Sequence, residues 1–146
     1  MNIFTIEDAI TIACTAHKGQ FDKAGIPYIY HPLRVMEAVY GNHMKMAAVL
    51  HDVVEDTDVT LEDLRNAKCP ARVIGALEVL TKRKDETHER YLIRLIESGN
   101  AIALAVKWAD VMDNSSGQRL SQLSPEDQAR VSAKYVKARR MLMEAM

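Results

Sequence analysis

Adjacent histidine and aspartate residues, His51 and Asp52, are the part of this sequence best suited to chemistry. Neighbouring imidazole and carboxylate groups suit a divalent transition metal, which accepts mixed nitrogen and oxygen ligands. One such pair cannot hold a metal alone, so a second imidazole and a further carboxylate have to come from elsewhere. His31 and Asp110 are the candidates for these positions. The sequence therefore predicts a metal site that could activate water.

Two further acids follow the histidine and aspartate pair. His51 and Glu55 are four residues apart, as are Asp52 and Asp56, so within a helix both pairs would lie on one surface. Residues 46–50 just before them are all apolar, which predicts that this helix is substantially buried. Charged groups there need a partner, because isolated buried charge is costly. A metal would be such a partner, and the remaining carboxylates could accept a proton from water.

A second apolar run, residues 101–106, ends abruptly at Lys107, and Asp110 and Asn114 follow at helical spacing. A carboxylate at the end of a core helix can ligate a metal while the lysine and the amide beside it meet phosphate oxygens. An isolated acid at a helix end is more often simply solvated. The prediction therefore depends on the co-occurrence of these residues with the histidine and aspartate pair.

Composition limits the function classes. The chain has 146 residues, 48% hydrophobic and 27% charged, which predicts one globular domain over 1–146. A net charge of −1 creates no global field for nucleic acid or an anionic membrane, so we expect neither as a partner. The sequence has no secretory signal and no apolar run long enough to span a membrane. We expect a cytoplasmic protein with Cys14 and Cys69 as free thiols.

Apolar residues recur at helical spacing along the chain, which predicts an all-α fold. Thr5, Thr60 and the Ser124-Pro125 pair are good helix starts. The predicted helices cover approximately residues 6–17, 32–40, 42–54, 70–80, 86–98 and 101–114, with a loop over 18–29. A short helix is predicted to begin at Thr60, and a last helix at Ser124-Pro125 with an apolar stripe that extends to Leu142. In this prediction the third helix carries His51 and Asp52 in its last turns.

Four stretches of the chain resemble the HD-domain phosphohydrolases. The likeness is to the hydrolase domain of the RelA/SpoT alarmone enzymes and to their stand-alone relatives, the small alarmone hydrolases. The matching stretches are Ala16-His17-Lys18-Gly19-Gln20, Lys23-Ala24-Gly25-Ile26-Pro27-Tyr28-Ile29-Tyr30-His31-Pro32, Leu50-His51-Asp52-Val53-Val54-Glu55-Asp56-Thr57 and Val106-Lys107-Trp108-Ala109-Asp110. The combination of His-Pro, HDxxEDT and K-x-A-D is specific, and its order covers most of the chain.

The resemblance implies a helical bundle with a single HD domain and one bound divalent metal, usually manganese. Its implied ligands are His31, His51, Asp52 and Asp110. The implied reaction is removal of the 3′-pyrophosphate from ppGpp, an alarmone of the stringent response, and a chain this short would act as a stand-alone hydrolase. The resemblance also implies that Glu55 and Asp56 activate the attacking water. It implies that Asn114 and Lys23 contact the nucleotide.

Positive charge around the metal site yields further candidates for substrate binding. Lys107 precedes Asp110, and Lys82 and Arg83 belong to a basic run in a region that the family uses around its substrate. A run of this kind is more often a solvated surface. We expect a small phosphorylated nucleotide as the partner of this chain.

The chain departs from the alarmone hydrolases at two positions. The family carries an arginine that stacks on guanine just before the loop lysine, where this chain has Asp22 after Phe21. It also has Val111 where the family usually has a basic residue. An HD-type nucleotidase or phosphomonoesterase acting on another nucleotide therefore stays open as an alternative, as does a non-catalytic nucleotide-binding module.

Overall fold

The computed structural model describes residues 3–146 and confirms the all-α prediction. An isolated β-bridge between Phe21 and Pro27 closes the loop before the second helix. The helices in chain order are α1 (Ile6–His17), α2 (Tyr30–Glu37), α3 (Asn42–Leu50), α4 (Val53–Asp56), α5 (Leu61–Asn66), α6 (Ala71–Leu80), α7 (His88–Glu97), α8 (Ala101–Asn114), α9 (Gly117–Leu120) and α10 (Pro125–Ala145).

Side chains that satisfy free backbone N–H groups explain where several helices begin. Thr5 and Thr60 each form a capping box with an aspartate three residues later, which places them at the starts of α1 and α5. Ser124 accepts a hydrogen bond from the backbone N–H of Asp127, and Pro125 occupies the first turn of α10. These local rules position the elements that carry the predicted site residues.

Helices α3 and α8 form the centre of the core. Helix α3 contacts α1, α2, α6 and α8, while α8 also contacts α7 and α10. Small residues at the centre of α3, Ala47 and Ala48, are fully buried and allow its neighbours to approach closely. Helix α10 covers one side of the bundle through Ala138 and Leu142. Three of the predicted ligands therefore lie toward the C-terminal ends of these two central helices, and His31 lies in the first turn of α2.

The predicted third helix is wrong at its end. Helix α3 ends at Leu50 and a separate turn of helix, α4, begins at Val53. At the break, the carbonyl oxygen of Ala48 accepts from both the ring Nδ1 and the backbone N–H of His51. Asp52 then adopts φ −100° and ψ −4°, outside the ideal helix. The break turns His51 and Asp52 away from a regular helical surface.

Other helix limits differ from the prediction by smaller amounts. Helix α2 begins two residues before Pro32 and ends at Glu37, and Gly41, with φ 83°, precedes α3 rather than ending α2. Helix α7 begins at His88 because the Thr87 side chain caps it by accepting from the backbone N–H of Arg90, and Glu86 lies in the preceding loop, where its carboxylate pairs with Arg94. Helix α9 has no counterpart in the prediction. Among residues 3–146, no helix has the length and apolar character needed to cross a bilayer.

Candidate metal centre and adjoining cavity

The four predicted metal ligands come together at one point in the bundle. Donor atoms of His31, His51, Asp52 and Asp110 all lie within 4.8 Å of one another. His31 comes from α2, the histidine and aspartate pair from the break between α3 and α4, and Asp110 from α8. Two imidazole nitrogens and two carboxylate oxygens form a donor set that fits a divalent transition metal.

The imidazoles present the same ring nitrogen to the cluster. Nδ1 of His51 donates to the carbonyl oxygen of Ala48, and Nδ1 of His31 lies 2.6 Å from a carboxylate oxygen of Asp113. The Ala48 carbonyl fixes the proton of His51 on Nδ1, whereas Nδ1 of His31 contacts both Asp113 and Arg119 Nη1, the latter at 3.0 Å. Nε2 of each ring faces Asp52 and Asp110. Such partners orient the ligand rings in many metal sites and increase their basicity. The arrangement therefore suits ligands rather than core histidines.

The imidazoles and carboxylates of the cluster lie within ion-pair distance of one another. Nε2 of His31 lies 2.8 Å from Oδ1 of Asp110, and Nε2 of His51 lies 3.0 Å from Oδ2 of Asp52. Burial lowers the pKa of His51, but the carboxylates of Asp52 and Asp110 outweigh it and the pKa is raised well above its ordinary value. The site thus favours positive charge at its centre, whether from protons or from a cation.

Asp110 is the buried link between the cluster and its surroundings. One carboxylate oxygen faces the imidazoles and accepts from Asn114 Nδ2 at 3.0 Å, while the other accepts from Lys107 Nζ at 2.8 Å. Burial raises the pKa of Asp110, but Lys107 and the imidazoles more than offset this effect, so the carboxyl has a pKa well below its usual range. Lys107 itself is buried and its ammonium lies 5.0 Å from the centre of the Tyr91 ring. In this structure Lys107 therefore contacts a predicted ligand.

Asp113 is a further acid that supports the cluster, and the sequence reasoning did not single it out. Its carboxylate contacts His31 and accepts from Arg34 Nε at 2.7 Å and Arg119 Nη1 at 3.2 Å. Asp113 follows Asp110 by three residues on α8, so the helical spacing was an available signal. Arg119 comes from the unpredicted α9 and also donates to Asn114, and its spacing in the sequence carries no comparable signal.

Tyr28 is another residue that the sequence reasoning left without a role. Its hydroxyl donates to Asp52 Oδ2 at 2.5 Å, and its ring lies 5.7 Å from that of His31. Burial, together with the Asp52 carboxylate, raises the pKa of Tyr28, so the hydroxyl remains a hydrogen-bond donor. Tyr28 thus fixes one oxygen of a predicted ligand from the loop over 18–29.

The predicted water-activating acids lie on α4, directly after the ligand pair. Glu55 and Asp56 both reach solvent. Desolvation raises the pKa of Glu55, and the nearby carboxylates of Asp56 and Asp52 raise it further. Asp56 is shifted upward for the same reasons. A raised carboxyl pKa makes a better proton acceptor at neutral pH, because basicity increases while the group stays ionised.

A cavity of about 300 Å³ adjoins the cluster. Tyr28 and Asn114 line it and donate hydrogen bonds to Asp52 and Asp110, so a molecule in the cavity would lie close to the predicted ligands. The loop over 18–29 forms one wall, and α10 forms another through Val131 and Tyr135. The other lining residues are Phe21, Asp22, Lys23, Ala24, Arg119, Gln122 and Leu123. The cavity therefore contains both the predicted Lys23 and Asn114 and the position where this chain departs from the family.

Lysines from separate elements lie near the acidic cluster. Burial lowers the pKa of Lys134 on α10, and the charges of Lys107, Lys23 and Lys82 lower it further. Within residues 3–146, no carboxylate forms an ion pair with Lys23, Lys82 or Lys134. Arg83 lies apart from these groups, exposed beside Glu86 and α7. Lys82 is thus the member of the predicted basic run that is close to the site.

Searches among known proteins found relatives for most of the chain. The chain is 32% identical over 133 residues, 83% of its length, to guanosine-3′,5′-bis(diphosphate) 3′-pyrophosphohydrolase of Haemophilus influenzae. It is 29% identical over 141 residues, 87% of its length, to the bifunctional (p)ppGpp synthase/hydrolase SpoT of Escherichia coli. The chain spans about a fifth of the length of these curated relatives, 19% and 20%. No family model matches the chain.

A solved structure supports the same relationship at the level of the fold. The structure described as a metazoan orthologue of SpoT that hydrolyses ppGpp superimposes with a TM-score of 0.72 at 24% identity. The match covers 96% of this chain and 92% of that protein. The helical bundle is therefore the same in both. The sequence of this chain is thus similar to one segment of the SpoT-type proteins, and its fold is that of a metazoan SpoT orthologue.

Proposed function

We propose that this chain is a metal-dependent phosphohydrolase that removes pyrophosphate from the 3′ position of ppGpp. The observation that carries the proposal is the convergence of His31, His51, Asp52 and Asp110 beside a cavity lined by Lys23 and Arg119. Relatives named for this activity share 29–32% identity over most of the chain. We further propose that the activity resides in one domain over 1–146.

The proposed metal is one divalent ion, with manganese as the leading candidate. It would be held by His31, His51, Asp52 and Asp110. The donor atoms of these residues lie within 4.8 Å of one another, and both imidazoles present Nε2 to the cluster. When bound, a divalent cation supplies positive charge to the phosphoryl oxygens and makes water a better nucleophile. Asp113 and the Ala48 carbonyl would keep the two rings in place during turnover.

Glu55 and Asp56 would act on the attacking water. One of these carboxylates accepts a proton from the water. At the same time the water oxygen forms a bond to the phosphorus that is attached to the 3′ oxygen. The bond between that phosphorus and the 3′ oxygen breaks, pyrophosphate leaves, and the 3′ oxygen takes a proton from solvent. The raised pKa of both acids supports this role.

Residues that line the cavity would bind the nucleotide. Lys23 and Asn114 are among them, and the charges of Lys23 and Lys82 lower the pKa of Lys134 on α10, so these three lysines would together attract phosphate groups. Cations without carboxylate partners suit a ligand with several phosphates, since charge-assisted hydrogen bonds are among the stronger polar contacts. Arg119 adds a guanidinium to the same wall. Arg83 and Lys107 remain weaker candidates, because one lies apart and the other contacts Asp110.

Pyrophosphate release from ppGpp by the manganese-loaded protein tests this proposal. The assay includes GTP and nucleoside monophosphates as alternative substrates, and Asp52→Ala provides the background. We expect metal-dependent release from ppGpp. The absence of turnover on every nucleotide by protein that retains manganese would contradict the proposal and favour a non-catalytic nucleotide-binding module.

A second candidate, an HD-type nucleotidase or phosphomonoesterase, is favoured by the state of Asp22. Oδ1 of Asp22 accepts from the backbone N–H groups of Ala24 and Ile26, and Oδ2 lies 3.8 Å from Arg119. An aspartate held in this way cannot stack on a base as the family's arginine does. Phosphate release from a nucleoside monophosphate, with no cleavage of ppGpp, would identify this alternative.

A further inference from the structure

His17 is a buried imidazole outside the metal cluster with a hydrogen-bond pattern that fixes its proton. The residue is 1% exposed and ends α1. Its Nδ1 lies 2.8 Å from Oε1 of Gln20, while Gln20 Nε2 donates to the backbone carbonyl of Asp56 at 2.9 Å. A carbonyl only accepts, so the amide NH₂ of Gln20 has to face Asp56. Oε1 therefore faces His17, and the ring proton is on Nδ1.

The bond from Gln20 reaches α4 at its end. Helix α4 has four residues, and the carbonyl groups in the last turn of a helix lack partners within the helix. Gln20 satisfies the carbonyl of Asp56, the last residue of α4, from another part of the chain. Glu55 and Asp56 are both on this single turn, so anchoring its end restricts both carboxylates.

The other side of His17 leads toward the ligand pair. Its ring centre lies 5.1 Å from that of Tyr28, whose hydroxyl donates to Asp52. The remaining ring nitrogen, Nε2, is buried without a hydrogen-bond partner within residues 3–146. An unpaired buried nitrogen costs stability, so Nε2 gives no reason for a histidine rather than a phenylalanine at this position. The bond from Nδ1 to Gln20 is the feature that a phenylalanine would lose.

We propose that His17 and Gln20 are positioning residues that hold α4 and thereby aim Glu55 and Asp56 at the attacking water. This inference rests on the proposed hydrolase function. His17 orients the amide of Gln20, and Gln20 anchors the end of α4. A misplacement of about 1 Å at a reacting group can reduce a rate on the order of a hundredfold. The pair would thus affect turnover without touching substrate or metal.

The test compares two variants with a matched control. His17→Phe keeps a ring against Tyr28 and removes the unpaired nitrogen, but it loses the bond to Gln20. Gln20→Glu keeps an acceptor for His17 and loses the donor to Asp56. The control, Ser98→Ala, removes a comparable hydrogen bond to the Leu95 carbonyl near the end of α7. Metal content, kcat and KM on ppGpp are measured for each manganese-loaded protein.

We expect kcat to fall about tenfold to a hundredfold in both site variants, with KM and metal content unchanged, and no fall in the control. A residue that only stabilises the fold would lower the unfolding temperature and leave kcat unchanged. Wild-type kcat in folded, metal-loaded Gln20→Glu would overturn the inference while the proposed function stands. Gln20 is only partly buried, so this variant decides the matter if His17→Phe does not fold.

A spectroscopic measurement separates failure of the inference from failure of the proposed function. The ¹⁵N chemical shifts of the His17 ring report which nitrogen carries the proton, whatever the protein catalyses. We expect a protonated Nδ1 in the wild type. A proton on Nε2 with a bare Nδ1 would overturn the arrangement of His17 and Gln20, even in an active enzyme. An inactive wild type with the expected shifts would instead contradict the hydrolase function and retain the anchoring of α4.

Discussion

The bundle contains two buried or partly buried clusters of charged side chains. They differ in whether other groups of the chain provide hydrogen-bond partners for all of these charges. In the first, which we call the Arg94 cluster, Arg94 donates to both carboxylate oxygens of Glu86 and to the carbonyls of Val79 and Thr81. One cation faces one anion, and the remaining N–H groups are directed at backbone acceptors. This cluster holds the loop over 81–87 against α7 and needs no further ligand.

The second, the metal cluster of His31, His51, Asp52 and Asp110, has a different arrangement. Its carboxylate oxygens and imidazole nitrogens are directed at a common point. Residues outside the cluster bond the remaining polar atoms of these side chains. Lys107 bonds the second carboxylate oxygen of Asp110, and Asp113 bonds Nδ1 of His31. The comparison indicates that the convergence of donor atoms distinguishes the candidate metal site, because both clusters contain charged residues with shifted pKa values.

The largest expected effect comes from removing a carboxylate at the metal cluster. Asp52→Ala and Asp110→Ala each leave three donors, and the remaining imidazoles lose a charged partner. We expect metal retention to disappear and turnover to fall to background. Metal analysis after gel filtration, followed by the ppGpp assay, measures both. Asp127→Ala, which removes an exposed acid paired with Arg130, is the control. Full activity in Asp52→Ala would refute the ligand assignment.

Glu55→Gln sharpens the comparison within the site, because it preserves the cluster and removes a proton acceptor beside it. We expect metal content to be unchanged and kcat to fall by about 10²- to 10⁴-fold, the range typical of general acid–base catalysis. Single-turnover kinetics with manganese-loaded protein checks the chemical step. Glu62→Gln, at an exposed acid on α5, should behave as the wild type. Loss of metal in Glu55→Gln would instead assign this residue to the cluster.

Asp113→Ala tests the support of the cluster from outside. The variant removes the acceptor that orients His31, so we expect metal affinity to fall about 10- to 100-fold. Asp113→Asn keeps an oxygen for the ring N–H and should lose less affinity. Calorimetric titration with manganese compares the two variants. If both variants bound manganese with the affinity of the wild type, this would show that α2 and α8 orient His31 without the Asp113 carboxylate.

Arg94→Ala is expected to act on stability alone. It leaves Glu86 and the carbonyls of Val79 and Thr81 without their donors, so the midpoint of thermal unfolding should fall by a few degrees. Metal affinity and kcat should match the wild type. Calorimetric unfolding and metal titration make this measurement. A parallel loss of metal affinity would show that the two clusters are coupled.

The smallest expected effect is the pH dependence of the Arg94 cluster. The Arg94 guanidinium lowers the pKa of Glu86 from 4.5 to about 2. A lowered folded-state pKa contributes stability above the ordinary pKa, and this contribution is lost as the pH falls toward the folded value. The stability difference between the wild type and Glu86→Gln should therefore be constant near neutrality, decrease below about pH 4.5 and vanish near pH 2. Urea denaturation of both proteins between neutral pH and about pH 2 measures this stability difference. A difference that does not change with pH would contradict the prediction.

The sequence by itself determined those features that depend on neighbouring residues. Helix starts at Thr5, Thr60 and Ser124 follow from side chains that satisfy free N–H groups within one turn. The all-α class follows from the apolar period, and the ligand candidates follow from residue chemistry and motif. The helix starts and the helical period depend on residues a few positions apart, and the ligand candidates were found by residue type and by the order of the motifs, so inspection of the sequence could find all of them.

Tertiary structure decided how those residues meet. The break after Leu50 depends on the ring of His51 bonding to Ala48, and the contact between His31 and Asp110 joins residues 79 positions apart. The roles of Asp113 and Gln20 likewise depend on partners from other helices. Such contacts arise from packing of α2, α3 and α8, and the spacing of residues along one helix carries no information about the distance between two helices.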